Sequence, residues 1–386
     1  MKCIVCESQL KEPVFSLNNS ITSLGSTYNH QKTEVWRCEF CTHLQNTPIS
    51  DLSLFYDKNY NILINSTDED QLYFDLNGNK KFRIDHQVDC LMKKLDIPYD
   101  AEVLDYGSGK GLSIKKLCER RKDITPHLFD VSSVYKKYWD EFCKHDNYST
   151  YEIKKEWRNK FDLVLSFFAL EHVENTKEFF ANIHHILKDK GLLYGTVPYV
   201  YDNPGDFCVL DHINHFSKLS LHIILQKAGF IEIEIDVNSH FGSAIFTARK
   251  CSEVSGIGKI QAHPYSKENI LLESDALIKF WNKSLENISA FGVEGSKKLA
   301  IYGSGFYGSF IANSINMENV LCFIDQNPYR QGLNFYNKPI VSSKNLPKDI
   351  TDILVGLNPN SAKKAISAVI NHWPKNIKIH YPFPVI

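Results

Sequence analysis

From residue 100 onward the chain alternates short apolar runs with amphipathic stretches. Val103-Leu104 ends on Asp105, and a turn holding Gly107, Gly109 and Gly111 leads into Ser113-Ile-Lys-Lys-Leu, whose apolar residues fall at helical spacing and predict a helix to about Arg121. His127-Leu-Phe-Asp130 reads as a second strand, Phe161-Asp-Leu-Val-Leu-Ser166 as another, Leu170 to Leu187 as a helix, and Gly191 to Pro198 as a strand. Leu219 to Ala228 follows as a helix closed by Gly229, and Ile231–Val237 with Gly242–Ala248 read as an antiparallel edge. This alternation predicts a doubly wound parallel sheet over 100–250. Upstream, Ile84, Val88, Leu91, Met92 and Leu95 share one helical face, and Pro98 stops that helix. Downstream, a helix over Ile270–Phe291 precedes Leu299-Ala-Ile-Tyr-Gly303-Ser-Gly305-Phe-Tyr-Gly308, a strand breaking into a second glycine turn.

Length and charge narrow the functional classes. A chain of 386 residues is long enough for two or three domains. Its net charge of −1 offers no global attraction to nucleic acid or to an anionic membrane, so a small-molecule substrate is expected and neither of those partners. No apolar run approaches the ~20 residues that span a bilayer, and MKCIVCESQL lacks the apolar core of a secretion signal. The expectation is a cytoplasmic protein, monomeric or homodimeric.

Ten cysteines add a specific chemistry, because four are paired as Cys3-Ile-Val-Cys6 and Cys38-Glu-Phe-Cys41. Two such knuckles offer four thiolates to a tetrahedral Zn²⁺, which cross-links a segment too short to fold on apolar burial alone. A complete four-cysteine set leaves no open coordination position, so the metal is expected to be structural. His30 and His43 are alternative ligands, but histidines beside a full cysteine set read as surface residues. The domains expected are a zinc-binding domain over 1–54, an aromatic and helical connector over 55–99, the α/β core over 100–250, and a second α/β domain over 251–386. In the connector, Tyr56 and Tyr60 could form a lid over a ligand or pack one domain on the next.

The first glycine turn is a cofactor site by its own chemistry. Glycines let a ligand approach bare backbone at a helix N-terminus, and Asp130, 25 residues after Asp105, stands where an acid can hold a ribose diol. An acid before the first glycine, in Asp105-Tyr-Gly107-Ser108-Gly109-Lys-Gly111, resembles motif I of class I S-adenosylmethionine-dependent methyltransferases. The resemblance continues through Asp130-Val131 and through Phe161–Phe168 with Leu170-Glu171-His172-Val173, which look like the segment flanking the methionine part of the cofactor. It implies cofactor contacts from Asp105, Gly107, Ser108, Gly109, Gly111, Asp130, Val131, Phe168, Glu171 and His172.

A candidate base lies in Asp211-His212-Ile-Asn214-His215-Phe-Ser217, expected to overhang the carboxyl edge of the sheet, where ligands bind. Histidine there suits proton removal near neutrality; capping the following helix is its other role. The whole layout of paired cysteine knuckles, methyltransferase core and C-terminal nucleotide-type fold is similar to the sugar C-methyltransferases of deoxysugar biosynthesis. That resemblance implies a Rossmann-like class I core, a small four-cysteine zinc domain and a C-terminal Rossmann-like domain framing a nucleotide-activated sugar. The family's Tyr-His-Glu-His-Phe-Ser segment matches here at His215, Phe216 and Ser217, with His212 and Asn214 replacing its Tyr and Glu. It implies His215 as general base, with His212 and Asn214 orienting the acceptor. The departures leave carbon or oxygen as the acceptor atom.

Tyr199, His240 in Ser239-His-Phe-Gly-Ser243, and Arg330 near a diphosphate complete the expected substrate contacts with Tyr56 and Tyr60. The competing classes are a zinc-bearing RNA methyltransferase and a sugar-nucleotide oxidoreductase using Gly303, Gly305 and Gly308 with Asp325 on a ribose.

Overall fold

The computed structural model describes residues 1–23, 27–28, 31–49, 72–74, 80–251, 263–292 and 297–385. They cluster into two compact units that interleave along the chain. The first takes Met1–Lys11, Arg37–Asn203 and Ile213–Lys267, and the second Glu12–Trp36, Pro204–His212 and Glu268–Ile386.

The first unit is built on α1 (Arg83–Lys94), β1 (Glu102–Tyr106), α2 (Leu112–Arg120), β2 (Thr125–Asp130), β3 (Tyr148–Thr150), β4 (Phe161–Phe167), α3 (Thr176–Ile186), β5 (Leu187–Pro198), α4 (Lys218–Lys227), β6 (Phe230–Asp236) and β7 (Ser243–Lys250). The strands form one sheet in the order β3-β2-β1-β4-β5-β7-β6. The first five run parallel, and β7 is antiparallel to both β5 and β6. Both faces of β1 are covered, which is why it reads as a continuous buried run. Strand order reverses between β1 and β4, so their carboxyl ends open a crevice of the kind where ligands bind in such folds.

One expectation is met and one changes. The last two strands pair antiparallel at the end of the sheet, with β6 outermost and β7 joined to β5, where Gly195 stands opposite Phe246. A Cβ on Gly195 would sit 2.1 Å from the Phe246 ring, so glycine there makes room for the strand. The helix expected from Leu170 is a single 3-10 turn, Leu170–His172; α3 begins only after Asn175, whose side chain accepts from Glu178 N at 3.1 Å.

The second unit contains α5 (Lys267–Ser289), β8 (Leu299–Tyr302), α6 (Phe306–Ser314), β9 (Val320–Ile324), β10 (Asn334–Phe335), β11 (Lys338–Val341), β12 (Asp352–Val355), α7 (Pro359–Ser367) and β13 (Lys378–His380). Its sheet runs β10-β11-β9-β8-β12-β13, parallel except for the β10–β11 hairpin. This is a second Rossmann-like sheet with its own core of Ala300, Cys322, Ile324, Ile353, Val355 and Trp373. Among the described residues no helix is long and apolar enough to cross a membrane.

Candidate functional site

The crevice of the first unit begins where β1 breaks. Gly107, Gly109 and Gly111 all have positive φ (79°, 49° and 72°), so the turn needs three residues free of Cβ strain. A Cβ on Gly107 would lie 2.5 Å from the Ala169 Cβ, and one on Gly111 2.5 Å from Leu128; at Gly109 nothing lies within 4 Å. Gly107 and Gly111 are therefore fixed by packing, while Gly109 leaves open backbone. Gly107 N and Ser108 N donate to Phe129 O at 2.9 and 3.0 Å, and Gly109 N donates to Asp130 Oδ2 at 2.8 Å. Ser132 N donates to Asp130 Oδ1 at 3.0 Å, and Val131 beside it is exposed. A carboxylate has about four lone-pair sites, so Asp130 keeps acceptor capacity for a ligand.

Asp105 is buried, and its Oδ1 meets no hydrogen-bond donor among the described residues. Burial, with the Asp130 charge added, pushes its carboxyl up to about 7, and burial pushes Asp130 to about 6. An unmet buried acceptor, open backbone at Gly109 and an acid at the tip of β2 fit a nucleoside with a cationic amino-acid arm, as S-adenosylmethionine is.

The opposite wall is the exit of β4. Phe168 takes a positive φ of 52° and carries the Arg83 guanidinium 3.9 Å above its ring. The buried His240 ring lies 5.8 Å from Phe168 and 4.8 Å from His86, and burial followed by the His86 charge lowers its pKa to about 4. Glu171, buried, and His172, half-buried, sit in the 3-10 turn. Arg83 and His86 were missed in the sequence, although with Cys90 they fall at helical spacing on α1.

His215 is wholly buried and pairs with Leu44 in a short antiparallel ladder between Asn214–His215 and Leu44–Asn46. Ser217 starts α4 with a capping box to Ser220, so the segment between β5 and α4 is firmly terminated. Asn214 corrects its expected role. Its amide donates to Leu170 O at 3.1 Å and Val173 O at 2.7 Å, and its Oδ1 lies 3.2 Å from His43 Nε2. The side chain holds the turn after β4 and is not turned to an acceptor. His43 is likewise corrected from surface to core: it is fully buried, and burial lowers its pKa to about 3. Tyr199 is buried with its ring 5.2 Å from Tyr201. Tyr56, Tyr60 and His30 lie outside the described residues.

His212 belongs to the second unit, where its Nδ1 lies 2.5 Å from Asp206 Oδ1. The second glycine turn is closed by its own side chains. Ser304 N and Oγ donate to Asp325 Oδ2 at 3.0 and 2.5 Å, and Arg330 donates to Ser304 O and Oγ at 2.6 and 3.1 Å. Arg330, expected near a diphosphate, is bound to the turn itself.

The four cysteines of the knuckles converge, with all Sγ atoms within 4.8 Å of one another and pairs at 3.5 Å (Cys3–Cys41) and 3.4 Å (Cys6–Cys38). Zinc–sulfur bonds of ~2.3 Å in a tetrahedron require sulfurs roughly 3.8 Å apart, so this set could hold the ion. Contacts among the four sulfurs lower the Cys6 and Cys38 thiols, Cys38 to about 6, and raise those of Cys3 and Cys41.

Comparison with known proteins matches the same region. Residues 82–234 fit the family model of a methyltransferase domain. The chain is 32% identical over 126 residues to ribosomal RNA small subunit methyltransferase G of Desulforamulus reducens, covering 30% of this chain and 52% of that protein. It thus spans about half the length of that relative. Among solved structures it is similar to an S-adenosylmethionine-dependent methyltransferase from Mesorhizobium loti (TM-score 0.35, 15% identity, 43% of this chain and 100% of that one). It is also similar to Haemonchus contortus phosphoethanolamine N-methyltransferase 2 in complex with S-adenosyl-L-methionine (TM-score 0.35, 16% identity, 43% and 52%). Residues 82–234 thus match a methyltransferase domain, on the α/β Rossmann-like sheet of the first unit.

Proposed function

We propose that the protein transfers a methyl group from S-adenosylmethionine to a nucleotide-activated sugar, with the cofactor over Asp105–Gly111 and structural zinc on Cys3, Cys6, Cys38 and Cys41. The observation that carries the cofactor site is the unmet Asp105 Oδ1 beside open backbone at Gly109. The bound sulfonium supplies an activated methyl and a good leaving group. The chain's own work is then to hold the acceptor in line, exclude water and take up a proton. Asp130 accepts from the ribose diol, Gly109 gives close approach, and Asp105 accepts from the cofactor's amino-acid arm. His215 receives the acceptor's proton. The acceptor class rests on the paired knuckles and the His215-Phe-Ser217 match to the sugar methyltransferases.

Incubating the protein with labelled S-adenosylmethionine, a panel of nucleotide sugars and, separately, ribosomal RNA tests both parts. A mass increase of one methyl on a sugar nucleotide is expected. Label in RNA alone would replace the sugar by the substrate class named in the rRNA relative; label in neither would refute the acceptor class. His215→Ala is expected to lower turnover about 100-fold or more while cofactor affinity stays within about twofold. Equal loss of both would reduce His215 to a structural residue.

A further inference from the structure

The two cysteine knuckles share one backbone design and differ in where their sixth residue points. In Cys3-Ile-Val-Cys6-Glu7-Ser8, Glu7 has φ 67° and donates its N–H to Cys3 O at 2.9 Å, while Cys3 N donates to Ser8 O at 2.9 Å. In Cys38-Glu-Phe-Cys41-Thr42-His43, Thr42 has φ 61° and donates to Cys38 O at 3.0 Å, while Cys38 N donates to His43 O at 2.8 Å. Ser8 turns back to the cluster, its Oγ 3.3 Å from Cys6 Sγ. His43 turns away from it, with its ring 4.9 Å from Phe216 and its Nε2 on Asn214.

The direction of each bond in this chain is fixed. Asn214 must aim its amide nitrogen at the two carbonyls of Leu170 and Val173, so its oxygen faces His43 and His43 carries its proton on Nε2. Those carbonyls bracket Glu171 and His172, and the turn follows Ala169, the residue against which Gly107 is packed. Thr42 Oγ1 and Ser217 Oγ, 2.6 Å apart, add a second tie between the knuckle and the segment after His215.

We infer that His43 and Asn214 are positioning residues that transmit the state of the four-cysteine knuckle to the cofactor crevice, so that cofactor affinity depends on metal occupancy. The inference rests on the cofactor and zinc assignments proposed above. Metal fixes the knuckle backbone, the backbone fixes His43, and His43 fixes the amide that holds the wall of the crevice. Couplings between linked sites are typically about 5–150-fold in affinity.

Calorimetric titration of S-adenosylhomocysteine into the full chain, zinc-loaded and after chelation under reducing conditions, tests this, with zinc content measured by mass spectrometry and folding by circular dichroism. Chelation is expected to weaken binding about tenfold in the wild type and by no more than about twofold in Asn214→Leu or His43→Phe. A wild-type affinity indifferent to zinc, or variants that keep the full zinc dependence, would overturn the relay, as would a chain that takes up no zinc. Should the chelated chain unfold, the zinc-loaded variants decide. His43→Phe, which keeps the ring contact but no donor, is expected to bind about fivefold more weakly, and His43→Gln, which restores a donor, within about twofold of wild type. Equal affinities for the two would overturn the relay. Failure of the zinc-loaded wild type to bind at all would instead refute the cofactor assignment.

Discussion

Two glycine turns open two Rossmann-like sheets, and among the described residues the first leaves a buried carboxylate oxygen unmet, that of Asp105, whereas the unmet polar atom in the second is the Tyr307 hydroxyl. Both carry an acid at the tip of the neighbouring strand that accepts a turn N–H, Asp130 from Gly109 and Asp325 from Ser304. In the first, Asp105 stands before the turn with a buried, unmet oxygen. In the second that position is the apolar Ile301, Asp325 also accepts from Ser304 Oγ and Asn327 N, and Arg330 clasps the turn. Gly303 and Gly308 answer to packing, since their Cβ atoms would fall 2.4 Å from Gly356 O and 2.0 Å from Gly303 O. The glycine spacing makes both turns, and the unmet carboxylate oxygen distinguishes the first, the proposed cofactor site.

The contrast breaks most sharply at the acids. Asp105→Asn is expected to weaken S-adenosylhomocysteine binding about 100-fold while the thermal midpoint holds or rises, because a carboxyl buried at this cost is replaced by a neutral amide. Asp325→Ala is expected to leave binding within about twofold and to lower unfolding free energy by about 1–3 kcal/mol, since Ser304 and Arg330 lose their organising acceptor. Thermal unfolding with and without ligand separates the two.

The middle glycines give the next effect. Gly109→Ala places a methyl in open space at φ 49°, costing about 1–2 kcal/mol of backbone strain, yet is expected to weaken cofactor binding about tenfold or more because the methyl occupies the line of approach. Gly305 also has nothing within 4 Å but sits at φ −95°, so Gly305→Ala is expected to change neither binding nor stability by more than about 1 kcal/mol.

The smallest effect is in pH. Asp105 folds with its carboxyl raised from 3.8 to about 7, so between those values the free folded chain binds more protons than the unfolded one. This group's contribution to stability is therefore largest at low pH and falls as pH rises toward 7. A ligand that needs the carboxylate as acceptor must reverse this. Affinity for S-adenosylhomocysteine is expected to rise between pH 6 and 8, by up to about tenfold per unit below 7, and to lose most of that slope in Asp105→Asn.

What the sequence made legible was local. The knuckles, the first turn and Asp130 are defined by residues close in the chain or at strand ends, so spacing alone found them. The β6–β7 pair was legible for the same reason: Phe-Ile-Glu-Ile-Glu-Ile-Asp alternates like the half-buried edge strand it is, and Ser-Ala-Ile-Phe-Thr-Ala is the continuous run of a covered strand. The roles of His43 and Asn214 were not legible, because they meet across 171 residues and each resembles an ordinary polar residue in its own neighbourhood. The joining of 12–36 and 204–212 with the C-terminal sheet's unit leaves no local trace for the same reason.

The central claim, that the cofactor belongs to the turn with the unmet acid, is tested most directly by the stoichiometry of S-adenosylhomocysteine binding at pH 8 in wild type, Asp105→Asn and Asp325→Ala. One ligand per chain is predicted for wild type and Asp325→Ala, with none measurable in Asp105→Asn at the same concentrations. Binding that survives in Asp105→Asn and disappears in Asp325→Ala would contradict the account.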